Sequence, residues 1–365
     1  MTNEIDEKWM RKALEVAKEA ERLSAPNPAV GAVIVRNDEL LAQGFTQRAG
    51  GPHAEIMALR DAFEKGVDPE GATLYVTLEP CSHYGRTPPC ALAVREAKFA
   101  RVVIGARDPN PLVAGRGIVM LREAGIPVDG PVLEEEAVWM NRGFMKRMRT
   151  GLPWVRLKTA ATLDGRTAFP DGRSMWITGD AARKDNFYAR GRAGAVLTGV
   201  GTILADNSQM TTRLPDQVRQ PLRVVADAAL RTPTAAKLFQ SEGPVLIATL
   251  SYDMLKRAAL EAVGAEVVRV PGENGRIDLP SLLRVLGERD INEVHVEAGA
   301  RLSGAFMQAG VVDEILLYQA PCFFGTGMPI ADIPLPTAPG DAQRWTYVSI
   351  DRVGSDLRIV LKRGH

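Results

Sequence analysis

One imidazole and two thiols bracketing a lone carboxylate constrain this chain more than any other feature. The run begins His53-Ala54-Glu55 and ends Thr77-Leu78-Glu79-Pro80-Cys81-Ser82-His83-Tyr84-Gly85-Arg86-Thr87-Pro88-Pro89-Cys90. Zn2+ prefers tetrahedral nitrogen and sulfur ligation, and a site with three protein ligands leaves the fourth position for water. The metal brings the pKa of such a water from ~16 to about 7, so a hydroxide nucleophile exists at neutral pH. His53, Cys81 and Cys90 are read as the ligands, and the chain must fold so that two distant segments meet on one ion.

Attack on an amino-bearing ring carbon must be followed by protonation of the departing ammonia, so the site also needs a proton shuttle. On a helix beginning near His53, Glu55 lies two positions on, within reach of the metal-bound water without ligating the metal. His-x-Glu followed by Pro-Cys is the order found in zinc deaminases. That signature ends Cys-x-x-Cys, whereas here eight residues separate Cys81 from Cys90. The bland alternatives are a closed structural zinc site with His83 as fourth ligand, or reduced core thiols. A structural site has no use for a carboxylate at the Glu55 spacing, which favours the catalytic reading. His83 fits a ligand, a loop residue or a substrate contact, and the last is favoured.

A chain of 365 residues exceeds what one core usually organises, so two domains are expected. With 45% hydrophobic and 24% charged residues and a net charge of +1, nothing suggests a disordered tail or a surface for long nucleic acid. Cys322 is the one thiol outside the proposed ligand set, so no disulfide framework exists and a reducing compartment is expected. The first eight residues are polar and acidic, and no apolar run approaches the ~20 residues that span a bilayer. The expectation is a cytoplasmic protein without a membrane partner.

Helix and strand signals alternate along the first half. Residues 6–23 place Trp9, Met10, Ala13, Leu14, Ala17 and Ala20 at helical spacing, and residues 30–35 and 40–45 read as strands joined at Asn37-Asp38. A strand follows at 73–78, a helix from 90 to 98, a strand at 101–106 and a helix at 117–124. This predicts a three-layer α/β/α domain with both metal segments at helix starts, where the positive helix end favours thiolates. Residues 131–149 read as one closing helix, whose basic end from Lys146 to Arg149 is assigned no function, and residues 150–153 as a link.

The second half opens on a strand at 154–158, with further strands expected at 195–198, 222–226, 245–249, 267–270, 293–296, 314–318, 345–350 and 357–361. This is a second α/β domain. In Val296-Glu297-Ala298-Gly299 a strand breaks at a glycine and passes into a helix, whose free backbone N–H groups can hold a phosphate. Such turns also occur for packing alone, and Gly299-x-x-x-x-Gly304 is neither a dinucleotide fingerprint nor a P-loop.

The run from Pro80 to Cys90, preceded by Pro26-Asn27-Pro28-Ala29-Val30-Gly31 and followed by Asp108-Pro109-Asn110-Pro111, resembles the bifunctional deaminase/reductase family of riboflavin biosynthesis (RibD). The long insert between the cysteines separates that family from the deaminases of cytidine, tRNA adenosine and guanine. The likeness continues through Leu163-Asp164-Gly165-Arg166, Trp176-Ile177-Thr178 and Val296-Glu297-Ala298-Gly299, and so covers nearly the whole chain. It implies a cytidine-deaminase-like, zinc-dependent pyrimidine deaminase domain over residues 1–149. A dihydrofolate-reductase-like, NADPH-dependent reductase domain is implied over residues 150–365. The implied reactions are deamination of 2,5-diamino-6-(5-phosphoribosylamino)pyrimidin-4-one to 5-amino-6-(5-phosphoribosylamino)uracil, and reduction of that product to 5-amino-6-(5-phosphoribitylamino)uracil.

By the same resemblance Asn27, His83, Arg86, Asp108 and Asn110 position the deaminase substrate, beside one Zn2+ and Glu55. In the reductase half Lys158, Ser174, Arg190, Met210, Arg213 and Glu297 would face the substrate. Ala160, Trp176, Thr202, Asp206 and Ala228 would line NADPH, with its phosphate on the turn Gly299, Ala300, Arg301, Leu302, Ser303, Gly304 and Ala305. The residue types suit those roles: Arg190 and Arg213 can grip a phosphate dianion in bidentate fashion, and Glu297 can accept hydrogen bonds from sugar hydroxyls. Taken singly, each arginine would more often sit in a surface ion pair, and Trp176 in a core. Two positions depart from the family pattern, Thr46 standing where a histidine near the deaminase substrate is implied and Ala228 where a serine is. Phosphoribosyl pyrimidines are the expected partners, with no nucleic acid and no membrane, and a homo-oligomer, dimer or tetramer, is expected. A nucleic-acid-editing deaminase would need a basic face and favour the short cysteine spacing. A nucleotide sensor without turnover would not need the intact set of His53, Glu55, Cys81 and Cys90.

Overall fold

Asn37 and Asp38 take φ of 52° and 61°, both left-handed. Two such residues in succession make the type I′ turn whose twist suits a tight hairpin. They join β1 (Gly31–Arg36) to β2 (Glu39–Phe45), with Arg36 opposite Glu39. The computed structural model describes residues 4–82, 88–110, 114–174, 176–215 and 219–364, in two units, Met1–Gly151 and Leu152–His365. Around that hairpin the first unit adds α1 (Glu4–Ala17), α2 (Ala54–Glu64), β3 (Thr73–Val76), α3 (Cys90–Glu96), β4 (Arg101–Ile104), α4 (Arg116–Glu123), β5 (Val128–Asp129), α5 (Glu134–Met140) and α6 (Arg142–Thr150).

The first sheet has the order β2-β1-β3-β4-β5, with β1 antiparallel to both neighbours and β3, β4 and β5 parallel. Two glycines show how its faces are covered. A Cβ on Gly31 would overlap the backbone of α1 at Ala13 and Ala17, and a Cβ on Gly44 would overlap that of α2 at Met57 and Ala58. Gly44 lies opposite Ala32, one residue along from Gly31, so α1 and α2 pack on opposite faces. The close approach of α2 is possible because its inward stripe is Ala54, Ala58 and Ala62, all buried. The three layers are therefore present, with β5 an edge strand too short to show a period.

The first helix ends at Ala17 and tightens into the 3-10 turn Lys18–Ala20, short of the expected residue 23. The single closing helix expected over 131–149 is instead two, α5 and α6, divided at Asn141. The Asn141 amide accepts from the N–H of Ala29 at 2.7 Å and donates to its carbonyl at 2.8 Å, while Asn141 itself has φ −105° and ψ 20°. Satisfying both backbone groups of a buried loop outweighs one more turn of continuous helix.

The second unit runs β6 (Trp154–Thr162), β7 (Arg166–Ala168), α7 (Asp180–Arg192), β8 (Ala195–Gly199), α8 (Val200–Asp206), β9 (Leu222–Ala226), β10 (Val245–Thr249), α9 (Met254–Ala262) and β11 (Ala265–Arg269). It continues with β12 (Gly272–Glu273), β13 (Arg276–Ile277), α10 (Leu279–Gly287), β14 (Glu293–Glu297), α11 (Ala300–Gln308), β15 (Glu314–Ala320), β16 (Met328–Pro329), β17 (Trp345–Val353) and β18 (Asp356–Arg363). Nine of these strands form one sheet in the order β11-β10-β9-β8-β14-β6-β15-β18-β17. Those from β11 to β15 are parallel, and β18 and β17 add antiparallel at the edge.

Parallel strands covered on both faces read as unbroken apolar runs, and their alternate residues serve different cores. Ala195 and Leu197 of β8 and Leu246 of β10 pack with Leu282, Leu283 and Leu286 of α10 and Phe306 of α11. Val196 and Ile247 pack with Ile203 of α8 and Leu260 of α9. The carboxyl ends of β6, β8, β9 and β14 lie side by side, the position where open parallel sheets form their crevices. Among the described residues no helix is long and apolar enough to cross a membrane.

Candidate functional site

His53 is the N-cap of α2, Cys90 is the first residue of α3, and Cys81 lies in the connection between β3 and α3. Their ligand atoms lie within 4.8 Å of one another, His53 Nδ1 being 3.2 Å from Cys90 Sγ and 3.6 Å from Cys81 Sγ. A tetrahedral ion with Zn–N of ~2.0 Å and Zn–S of ~2.3 Å separates its ligands by roughly 3.5 Å, so these residues fit zinc as they stand. The N–H of Cys90 donates to Cys81 Sγ at 3.3 Å, and the N–H of Ala91 donates to the Cys81 carbonyl at 3.1 Å. These bonds dock the start of α3 on the ligand loop. Hydrogen bonding from Cys90, with help from His53, brings the Cys81 thiol down to about 4 against the opposing effect of burial. Cys90 is pushed up by the neighbouring Cys81 thiolate, then by burial and Glu55. Without a cation only Cys81 is a thiolate and Cys90 keeps its proton; a divalent cation among His53, Cys81 and Cys90 would let both sulfurs ligate as thiolates, and this donor set suits one.

Glu55 sits in the first turn of α2 and is 4% exposed. Burial first, and the Cys81 thiolate second, push its pKa up to about 7, against the pull of His53. A carboxyl poised near neutrality can both take and return a proton.

Of the expected deaminase substrate residues, His83 and Arg86 lie outside the described residues. Asn27 is half-buried in the loop before β1, its N–H donating to Ser24 O at 3.0 Å. Asp108 is buried, and its Oδ1 accepts from the N–H of Asn110 at 2.8 Å. Thr46 is buried against Val30, whose carbonyl accepts from the Thr46 N–H at 3.0 Å. Glu79, missed from the sequence, is buried and accepts hydrogen bonds from backbone N–H groups of Asp108, Gly115, Gly117 and Ile118. It carried no motif signal, because what distinguishes it is which amides it meets after folding.

In the second unit Lys158 and Glu297 are register partners on β6 and β14, so their side chains share one face. Both line a cavity of about 370 Å³ together with Trp176, Arg190 and Arg213. Glu297 is gripped by Arg190, through Nε to Oε1 at 2.5 Å and Nη2 to Oε2 at 2.7 Å, and Arg190 Nη1 donates to Thr211 O at 2.7 Å. The bidentate fork expected to hold phosphate at Arg190 is thus occupied by a carboxylate, because a partly buried guanidinium beside a partly buried carboxylate pairs with it. Exposed Arg213 remains turned to the cavity. Trp176 is 69% exposed and stacks under Arg183 at 4.3 Å, so it belongs to the cavity wall and to no core.

Two further residues of this cluster were missed. Asn186 Nδ2 donates to Glu297 Oε1 at 3.0 Å. Fully buried His295 places Nε2 3.2 Å from both Asn186 Oδ1 and Glu297 Oε1, while its Nδ1 has no partner among the described residues. Burial pushes the His295 pKa down, so the ring is neutral at pH 7 and its proton sits on Nε2. Lys158 is likewise pushed down by burial, with Glu297 pulling it back up.

The other expected reductase residues are not in this lining. Half-buried Ser174 precedes Trp176, and Ala160 lies two residues beyond Lys158 on β6. Met210, with φ 55°, packs in the core with Val196 and Ile203, so only its backbone can meet a ligand. Thr202 and Asp206 lie on α8, and Ala228 follows β9 with its carbonyl accepting from Thr249 Oγ1 at 3.1 Å. Gly299 is the exposed N-cap of α11, with open space where a Cβ would stand, a setting that fits a nucleotide phosphate. Ala300, Arg301, Leu302 and Ser303 form the first turn, followed by Gly304 and Ala305. Gly304 has a packing cause of its own, since a Cβ there would overlap the carbonyl of Asp332. Ser303 is buried and donates to Ala298 O at 3.2 Å.

Residues 153–359 match the RibD C-terminal domain family, and residues 3–106 match the cytidine and deoxycytidylate deaminase zinc-binding region. The chain is 43% identical to the riboflavin biosynthesis protein RibD of Escherichia coli (strain K12), covering 96% of this chain and 98% of that one. It is 39% identical to that of Aquifex aeolicus (strain VF5), covering 100% of both. Among solved structures, Acinetobacter baumannii RibD, form 1, superposes with a TM-score of 0.89 at 40% identity over 99% of each chain. A Thermotoga maritima diaminohydroxyphosphoribosylaminopyrimidine deaminase/5-amino-6-(5-phosphoribosylamino)uracil reductase does so at 0.88 and 35%, again over 99% of each. The fold class is therefore a cytidine-deaminase-like domain followed by a dihydrofolate-reductase-like one. With both halves and the zinc ligand set accounted for, this chain belongs to the RibD family of bifunctional riboflavin-biosynthesis deaminase/reductases.

Proposed function

We propose that residues 1–149 deaminate 2,5-diamino-6-(5-phosphoribosylamino)pyrimidin-4-one and that residues 150–365 then reduce the ribosyl group of the product to ribityl. The observation that carries the first step is a buried Glu55 beside the three-atom cluster of His53, Cys81 and Cys90. Bound zinc supplies a water acidic enough to be deprotonated at neutral pH, and bound NADPH supplies a hydride. Glu55 accepts a proton at its carboxylate and returns it to the departing amine nitrogen. Asn27, Asp108 and Asn110 hold the pyrimidine, joined by His83 and Arg86.

In the second unit Arg190 keeps Glu297 ionised, Glu297 accepts hydrogen bonds from ribose hydroxyls, and Lys158 donates to the ribose. Arg213 grips the substrate phosphate, with Ser174 and the Met210 backbone also facing the substrate. Trp176, Ala160, Thr202, Asp206 and Ala228 line the dinucleotide, and the Gly299 turn takes its phosphate. The chain is placed in a reducing cytoplasm on account of its free thiols, and as a dimer or tetramer. Metal analysis combined with ammonia release and NADPH oxidation on the pyrimidine substrate tests the assignment. About one zinc per chain and both activities are expected, and active protein without zinc would overturn the deaminase chemistry.

A further inference from the structure

We infer that Glu79 is a positioning residue of the deaminase site, fixing the segment that carries Asp108 and Asn110 to the loop after β3 that carries Cys81. This rests on the reading of Asp108 and Asn110 as substrate contacts. Glu79 is 3% exposed. Its Oε2 accepts from the N–H groups of Asp108 at 3.3 Å and Gly115 at 3.1 Å, and its Oε1 from those of Gly117 at 3.1 Å and Ile118 at 3.4 Å. Three of these donors open α4, whose N-cap Gly115 has φ 80° and no side chain to cap the helix. The amides of a helix start carry partial positive charge, so a carboxylate from elsewhere both caps α4 and is stabilised there.

A simple cap would take donors from one helical turn, whereas Glu79 also holds the amide of Asp108, which lies outside the helix. Between those anchor points Asp108 Oδ1 accepts from Asn110 N–H at 2.8 Å, and the Asn110 carbonyl accepts from Ala114 N–H at 2.9 Å. One side chain thus clamps both ends of the segment. The clamp is tied to the metal loop as well. The Glu79 N–H donates to Ala106 O at 2.9 Å, and a Cβ on Gly117 would overlap the carbonyl oxygen of Pro80, the residue before Cys81.

Glutamine in place of Glu79 keeps one acceptor oxygen and turns an NH2 group towards two N–H donors, releasing one end of the clamp. In the full chain, Glu79→Gln should raise KM for ammonia release on the order of tenfold or more, with a smaller change in kcat. Zinc content, and NADPH oxidation with pre-deaminated substrate, should match the wild type. Unchanged KM in zinc-loaded protein overturns the inference, and so does loss of zinc, which would make Glu79 a support of the metal loop alone. Asp108→Ala distinguishes the two levels of the argument. If that variant leaves KM unchanged, the substrate reading of Asp108 fails. If Asp108→Ala raises KM and Glu79→Gln adds its full factor on that background, Asp108 stands but Glu79 does not act through it. The expected double variant is little worse than Asp108→Ala.

Discussion

Glu297 stays ionised because of its neighbours. Burial works to raise its pKa, but the charge and hydrogen bonds of Arg190, with His295 and Lys158 behind them, hold it well below the usual carboxylate range. A depressed folded-state pKa means that the stabilisation is present above the unfolded value of about 4.3 and is lost only as pH falls through the folded value. The kcat/KM profile for NADPH oxidation should therefore show no acid limb from Glu297 above about pH 5. In Arg190→Ala burial loses its main counterweight, Glu297 titrates at higher pH, and an acid limb should enter the profile. A variant profile parallel to the wild type would contradict that balance. The cluster of His53, Cys81 and Cys90 was legible from the sequence because metal chemistry restricts both residue type and spacing. Glu79, Asn186 and His295 were not, because any buried carboxylate, amide or imidazole looks alike until the groups it faces are known. Arg190 shows the same limit from the other side: its type suits phosphate, and its burial gives it to Glu297.

Helix α2 owes its place to small residues. Gly44 on β2 lets it approach until Ala54, Ala58 and Ala62 lie on the sheet, and that approach carries His53 and Glu55 to the two cysteines. Gly44→Ala puts a methyl group into the backbone at Met57 and Ala58, so α2 must move outwards. Overpacking of this kind costs about 1–3 kcal/mol. The expected result is a lower denaturation midpoint for the first unit together with weaker zinc retention against a chelator. A variant that loses stability but holds zinc as tightly as wild type would show that the site does not depend on the seat of α2. Strands and helices with several periods were legible, including the hairpin at Asn37 and Asp38, where turn chemistry leaves few alternatives. The break at Asn141 was not, since a bond to Ala29, far away in sequence, decides it. β5, with two residues, has no pattern to read.

At the scale of the whole chain, each unit contains its own sheet, its own core and its own charged cluster. Two α/β domains could be read from length and alternation, while the long parallel order of the second sheet could not, because strand neighbours are set by tertiary packing. Zinc-dependent deamination and NADPH-dependent reduction are proposed to be carried by separate residues. Glu55→Ala removes the proposed proton shuttle and leaves His53, Cys81 and Cys90 in place, so ammonia release should fall by ~10²–10⁴-fold with zinc retained. The most direct measurement is NADPH oxidation by Glu55→Ala on pre-deaminated substrate. A rate close to wild type is expected, and abolished reduction in folded, zinc-loaded protein would show that the two activities share residues.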